Sequence, residues 1–196
     1  MKIKYNAPTV LTYAFFCALV MGITLYLVPQ LRNWFMVPGK GQFSPLRFRD
    51  WITLFTHSAG HSGWNHLFAN FSLILLIGPM LEENYGSLAL FAMIIITTLI
   101  TGILNVLFFP VPLLGASGVV FMMILLASFT NFSRGEIPLT FILVVILYLG
   151  DQLLKSLGTS SADGSMNPQT ISRFAHIAGG FCGSLFGFFF PPRRYN

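Results

Sequence analysis

Long apolar runs without charge are the feature that most constrains this chain. Residues 88–108 form an apolar run that contains no Asp, Glu, Lys or Arg. A helix of about 20 such residues is long enough to cross the ~30 Å hydrocarbon core of a bilayer. The whole chain is 55% hydrophobic and 9% charged, whereas soluble domains carry about 25% charged residues. The sequence therefore predicts a polytopic membrane protein and argues against a soluble globular enzyme.

Six runs are long and apolar enough to span a membrane, which predicts an all-α bundle of six transmembrane helices. They cover approximately residues 9–28, 64–80, 88–108, 113–129, 138–154 and 171–190. The first run exceeds the ~7–15 apolar residues of a signal peptide, and no small-residue cleavage site follows it. We therefore expect it to be retained as a span. Apart from residues 29–63 the loops are short, so one membrane domain over residues 1–196 is expected, with no separate soluble domain.

The loop at residues 29–63 mixes Pro, Gly and charged residues with many aromatic ones. Its aromatic residues are Trp34, Phe35, Phe43, Phe48, Trp51 and Phe55. It is too polar to span and too aromatic for a fully hydrated loop. Because aromatic belts mark the membrane–water interface, we expect this first loop to lie partly in the interface and to anchor the helices there.

The cations and cysteines of the chain decide little about partners or compartment. The net charge is +5, which we attribute to anchors and loops that flank the spans rather than to nucleic-acid binding. Five Lys and Arg residues fall on the side of the termini and six on the other, so the charge distribution does not fix the orientation. Cys17 and Cys182 both lie in apolar runs, which favours free buried thiols over a disulfide.

Polar side chains occur on alternate spans, at comparable distances from one membrane face. His66 and Asn70 lie on the second run, Ser117 on the fourth and His176 on the sixth. These three runs are parallel to one another, because consecutive spans alternate in direction. From the predicted starts, the four residues lie roughly 3 to 9 Å below the same face. A serine, a histidine and nearby hydrogen-bond donors are the groups that acyl transfer requires, and polar groups in a membrane usually serve a function.

Small residues surround both the serine and the second histidine. Gly179 and Gly183 follow His176 by three and seven positions, so they share its helix face. Gly115 and Gly118 flank Ser117. A stripe of small residues allows two helix backbones to approach closely. Glycines alone would favour a plain packing face, but a histidine on the same stripe favours a face that brings His176 towards a partner helix.

Three sequence motifs together carry a resemblance to a known family. They are G-x-S-G at 115–118, H-x-x-x-N at 66–70 and A-H-x-x-G-x-x-x-G at 175–183, and His61 and Glu82 also match the pattern. In this order and on these runs they resemble the rhomboid intramembrane serine proteases. The resemblance extends from the first loop through the last run.

The resemblance implies roles for individual residues. Ser117 would be the nucleophile and His176 the general base, later the general acid. His66 and Asn70, with the backbone N–H of Ser117, would form the oxyanion hole. Supporting positions would be Gly115, Gly118, Phe121, Gly179 and Gly183. The resemblance offers no carboxylate partner for the histidine, so Asp151 is not expected to act as a third catalytic residue.

The resemblance also implies a location and a class of substrate. The protein would lie in the cell membrane with both termini cytoplasmic and a site open to the outer face. Its partners would be the lipid bilayer and membrane-spanning proteins whose spans contain small or helix-breaking residues. No cofactor, metal ion or nucleic acid is expected to take part.

Two departures from the family pattern fall near these motifs. Trp51 is followed by Ile52 where the family often has a Trp-Arg pair, which leaves the anchoring of the first loop open. Phe121 stands where the family often has a tyrosine under the histidine ring. Phenylalanine keeps the aromatic face and lacks the hydroxyl, so we expect this change to be tolerated.

Three other functions were weighed against proteolysis. A catalytically inactive relative could bind membrane proteins, but such relatives usually lack the Ser or the His that this chain has. A metal site could use His57, His61 and His66, but glycines interrupt that stretch, and no cysteine or nearby carboxylate completes it. A transporter would be expected to show inverted repeats or broken helices, which the sequence does not display.

Overall fold

A computed structural model describes residues 3–129, 139–144, 146 and 168–192, and this part of the chain is helical. The α-helices are α1 (Pro8–Gly22), α2 (Phe48–Thr56), α3 (Trp64–Tyr85), α4 (Ser87–Phe108), α5 (Ser117–Ala127), α6 (Leu139–Val144) and α7 (Pro168–Phe189). Within these residues the β-type pairing is a single antiparallel bridge between Val37 and Leu113. The predicted all-α architecture is confirmed.

Among the described residues, three helices are long and apolar enough to cross a membrane. They are Pro8–Leu27, which is α1 continued by a π-helical turn, together with α3 and α4. Two shorter apolar helices, Ser117–Ala127 and Phe174–Phe189, accompany them. Of the predicted fifth run the structure describes only α6 and residue 146. Asp151 lies outside the described residues, so its role stays a prediction.

The second span was expected to end near residue 80, before its two glutamates, and this boundary is wrong. Helix α3 continues to Tyr85 because Glu82 is buried and has partners. The Glu82 carboxylate accepts hydrogen bonds from the backbone N–H groups of Thr9 (2.8 Å) and Val10 (3.0 Å). These N–H groups belong to the first turn of α1, where no intrahelical partner exists and negative charge is favoured.

Replacing Glu82 with alanine should therefore destabilise the protein by about 3 kcal/mol, because one buried and one partly buried donor lose their carboxylate acceptor. The measurement is thermal unfolding of the purified protein in detergent. Glu83→Ala is the matched control, since Glu83 is the exposed neighbour on the same helix. Equal destabilisation by the two substitutions would show that the α1–α3 contact does not depend on the Glu82 carboxylate.

Helix α5 lies at the centre of the bundle. Its buried residues include Val119, Val120, Met122, Met123, Leu125 and Leu126, on all faces of the helix. It packs most extensively on α7 and also on α3 and α4. A helix that is apolar all round is suited to such a central position.

The fourth span was expected to begin at residue 113, but α5 begins at Ser117. The preceding segment is held in an extended form because the backbone of Leu113 exchanges two hydrogen bonds of 3.0 Å with Val37. Helix α7 begins at Pro168, three residues before the predicted start. The depths estimated for Ser117 and His176 used starts that are wrong, whereas α3 begins at Trp64, the predicted start for His66 and Asn70. Packing between the helices has to define the relative level of these residues.

The first loop contains a short amphipathic helix, α2. One face of this helix is buried and contains Asp50, Thr53 and Leu54. The opposite face is exposed and contains Phe48, Trp51 and Phe55. The indole N–H of Trp51 donates to the Pro45 carbonyl at 3.0 Å. An outward apolar face of this kind suits the interfacial position that the sequence predicts.

Both cysteines are buried and unpaired, as the sequence predicts.

Candidate functional site

The hydrogen bonds of His66 fix which ring nitrogen carries its proton. Nδ1 faces the backbone N–H of Ser62 at 3.4 Å and the Ser62 hydroxyl at 3.1 Å. Since a backbone N–H can only donate, Nδ1 accepts in the neutral ring and the proton lies on Nε2. His66 is half-buried on the first turn of α3, so its Nε2–H remains available as a donor.

The Nε2 side of His66 faces the segment that leads into Ser117. A Cβ atom added to Gly115 would lie 2.9 Å from His66 Nε2 and 2.7 Å from its Cε1. Gly115 also has φ +119°, a conformation that side-chain-bearing residues rarely adopt. Its N–H donates to the His57 carbonyl at 2.9 Å. Glycine is therefore required here on two grounds, and it lets the imidazole approach the backbone closely.

Helices α5 and α7 approach each other at backbone contact. A Cβ atom at Gly179 would lie 2.0 Å from the Gly118 carbonyl oxygen, and one at Gly183 would lie 2.1 Å from the Met122 carbonyl oxygen. A Cβ atom at Gly118 would lie 3.4 Å from the Ala175 carbonyl oxygen. Gly118, which follows Ser117, thus lies beside the stretch of α7 that contains His176.

The imidazole of His176 stacks on the ring of Phe121. The centroids are 4.3 Å apart and the planes differ by 5°. Phe121 is one helical turn beyond Ser117 on α5, so the contact orients the His176 ring on the same side of the α5–α7 interface. Ser117 and His176 are both half-buried, which leaves part of each side chain accessible.

Asn70 is one turn after His66 on α3, and the two side chains share a face. The residue is 7% exposed. Its Nδ2 atom is buried and makes no hydrogen bond within the described part of the chain. A buried donor without a partner is costly, and such a group calls for an explanation, of which a catalytic role is one.

The observed start of α5 adds a feature that the predicted start would have removed. Ser117 is the first residue of the helix, and Ala116 is its N-cap. The N–H groups of a first turn have no intrahelical acceptor, and the helix dipole places partial positive charge there. The backbone N–H groups around Ser117 can therefore stabilise negative charge next to its hydroxyl.

The two other histidines of this region are buried and held by backbone carbonyls. His57 Nε2 lies 3.0 Å from the Thr98 carbonyl, and His61 Nδ1 lies 3.2 Å from that of Ala59. Burial lowers the pKa of both rings to about 4, and for His61 the nearby His66 adds to this. Both are neutral at pH 7, and the ring of His61 packs against that of His66 with centroids 5.1 Å apart.

The described part of the chain contains no cluster of side chains that could form the alternative metal site. No three His, Cys, Asp or Glu side chains there lie close enough to hold an ion. The contacts of His57 and His61 are those of histidines that position the first loop and the ring of His66.

Comparison with known proteins agrees with these motifs. The model of the rhomboid domain matches residues 49–193. The chain belongs to the rhomboid family. Among curated relatives, rhomboid-like protein 11, chloroplastic, of Arabidopsis thaliana is 23% identical over 86% of this chain and 62% of its own length. RHOMBOID-like protein 7 of the same plant is 27% identical over 65% of this chain and 39% of its own length. This rhomboid thus spans less than two thirds of either relative.

Ser62 is one residue of this rhomboid site that the sequence did not reveal. It sits four positions before His66, in the turn that precedes α3, and its N–H and hydroxyl orient the imidazole. Ser and Thr often bond a group four residues away near a helix start. That spacing was the available signal, but it is too common to single out Ser62 without coordinates.

Proposed function

We propose that this rhomboid is an intramembrane serine endopeptidase that cleaves membrane-spanning segments by a Ser117–His176 dyad. The observation that carries the proposal is the glycine contact between α5 and α7. It brings the residue after Ser117 against the α7 backbone that flanks His176. Membership of the rhomboid family, many of whose members are serine proteases, supports the same reaction.

In the proposed reaction Ser117 Oγ attacks the carbonyl carbon of the scissile peptide bond, and His176 accepts the hydroxyl proton. The tetrahedral intermediate collapses, the C–N bond breaks, and His176 returns the proton to the leaving amine. Water then attacks the carbonyl carbon of the acyl-enzyme, and His176 accepts its proton. His176 returns this proton to Ser117 Oγ as the acyl group leaves. The partial exposure of Ser117 and His176 suits a site that water must reach.

The proposed oxyanion hole combines three donors. They are the Ser117 N–H at the start of α5, the Nε2–H of His66 and the Nδ2–H of Asn70. The Asn70 Nδ2, which makes no hydrogen bond with any described residue, supports this role, because a donor already held in place in the free protein needs no reorganisation when charge develops. The free-energy cost of burying this donor would thus be offset only in the transition state.

Substitution of either side-chain donor should slow cleavage without removing the nucleophile. We expect His66→Ala and Asn70→Ala each to lower turnover about 10²- to 10³-fold while Ser117 still reacts with a fluorophosphonate. Asn84→Ala is the matched control, because the Asn84 amide bonds the Met80 carbonyl of its own helix. Wild-type turnover in both test variants would rule out the oxyanion role.

The substrate class follows from the geometry of a helix in a membrane. Peptide bonds inside a helix are shielded, so a span must unwind locally before attack, and spans with glycine or proline unwind most readily. The decisive assay is cleavage of a model membrane-spanning substrate by the full chain in liposomes, with and without a chelator. Chelator-insensitive cleavage supports the proposal. Binding of the substrate without cleavage would favour the alternative of an inactive, client-binding rhomboid.

We also propose that the chain acts as a single membrane domain with its site open to the outer face of a cell membrane and with cytoplasmic termini. Ser117, His66 and the first loop all lie at one end of the bundle, which supports a single accessible face. A cysteine-accessibility assay on intact cells, using a cysteine placed in the first loop, tests this orientation.

A further inference from the structure

A small pocket between the first loop and the segment before α5 is lined in part by polar side chains, and the proposed reaction does not use it. Its volume is about 140 Å³, several times the ~30 Å³ that a water molecule occupies in the liquid. A tetrahedral phosphate group would fit in such a space. The lining includes Asn33, Gln42, Arg47, Arg49, Pro38 and Pro112.

The two arginines leave an excess of positive charge at this pocket. Both approach the same carboxylate, with Arg47 Nη2 2.9 Å and Arg49 Nη2 3.4 Å from oxygens of Asp50. Asp50 is fully buried, and it also accepts the backbone N–H of Ser44 at 2.9 Å. Among the described residues, two guanidinium groups face one carboxylate, which leaves one positive charge without a counter-charge there. The carboxylate holds both groups in place, and a fixed guanidinium fork is well suited to phosphate oxygens.

The residues beside these arginines are exposed and apolar. Leu46 and Phe48, which alternate with the arginines along the chain, are 96% and 74% exposed. Trp51, one turn further along α2, is also exposed, and tryptophan is enriched at the level of the lipid headgroups. A cationic pocket whose arginines alternate along the chain with exposed apolar side chains suits a molecule with an anionic head and acyl chains.

We propose that this pocket binds the phosphate group of an anionic phospholipid, with its acyl chains along Leu46 and Phe48. The excess charge favours a lipid of net negative charge over a zwitterionic one. Pro38 and Pro112 adjoin the Val37–Leu113 bridge, which leads to Gly115 and Ser117. A bound headgroup would therefore brace the segment that precedes the candidate nucleophile. The proposal concerns binding alone and does not depend on proteolysis.

Lipid retention by the full-length protein tests the proposal. The delipidated protein is incubated in detergent with dioleoylphosphatidylglycerol or dioleoylphosphatidylcholine, and retained lipid is counted by native mass spectrometry. We expect the anionic lipid to bind about tenfold more tightly. Millimolar inorganic phosphate is the third arm, and it should raise the unfolding temperature less than the anionic lipid does. Equal retention of both lipids, or equal stabilisation by inorganic phosphate, would overturn the proposal.

Two kinds of substitution distinguish binding of the lipid in this pocket from attraction of the lipid by surface charge in general. Arg47→Gln with Arg49→Gln removes both forks, but it also strips the partners of Asp50 and can unfold the loop. Asn33→Asp leaves the Asp50 cluster intact and places a negative charge in the pocket lining. It should remove the tenfold preference. Arg32→Gln is the control, because it removes an exposed cation of the same loop outside the pocket lining. An equal loss in Arg32→Gln and Asn33→Asp would mean that surface charge alone attracts the lipid.

Discussion

Replacing Ser117 or His176 with alanine is expected to lower proteolysis at least about 10⁴-fold, as loss of a nucleophile or its base does in soluble serine proteases. The physical reason is that neither residue has a described substitute at the α5–α7 interface. Cleavage of a membrane-spanning model substrate in liposomes measures the effect. Because the two residues act as a unit, the double variant should be no slower than either single variant.

Ser128→Ala is the matched control for this loss. Ser128 follows α5 directly, and its hydroxyl bonds the Ile124 carbonyl of that helix at 3.4 Å. The control should retain activity and show that removal of a serine at an end of α5 is not itself harmful. Purified Ser117→Ala that still cleaves at the wild-type rate would end the serine-protease proposal.

Gly179→Ala is expected to destabilise the protein by about 3 kcal/mol, the upper end of the usual cost of overpacking. The added Cβ atom would lie 2.0 Å from the Gly118 carbonyl oxygen, and backbone cannot move aside as a flexible side chain can. The two helices must therefore separate, which moves His176 away from Ser117. We expect turnover to fall together with the unfolding temperature, both measured in the same detergent.

Gly22→Ala provides the opposite expectation from the same chemical change. Gly22 ends α1 and has helical backbone angles, and a Cβ atom there would have nothing within 4 Å. Alanine should be neutral there or stabilising by up to about 1 kcal/mol. If Gly179→Ala were as stable and as active as Gly22→Ala, backbone contact between α5 and α7 could not be what positions the site.

The spans were predictable because length and lack of charge are local properties of a sequence. Helix α4 was expected at residues 88–108 and is observed at Ser87–Phe108. The boundaries that failed depend on distant partners. The charge of Glu82 predicts the end of a span, but its carboxylate is hydrogen-bonded to the N–H groups of Thr9 and Val10. Leu113 lies in an apolar run that predicts a helix, but its backbone pairs with that of Val37.

Part of the candidate site could also be predicted from local properties of the sequence. Its residue types and their motifs are present in the sequence, but the estimate of depth used helix starts that were wrong for Ser117 and His176. The orientation of the His66 ring depends on Ser62. Only the three-dimensional structure shows that the Asn70 Nδ2 is buried with no partner among the described residues. These contacts arise from packing between elements, which no periodicity along the chain encodes.

The central claim, that Ser117 is an activated nucleophile, is tested most directly by covalent labelling. The purified full chain is treated with a fluorophosphonate, digested, and mapped by mass spectrometry. The account predicts one adduct, on Ser117, that is lost in Ser117→Ala and strongly reduced in His176→Ala. An adduct on another residue, or no adduct in lipid conditions that preserve the fold, would contradict it.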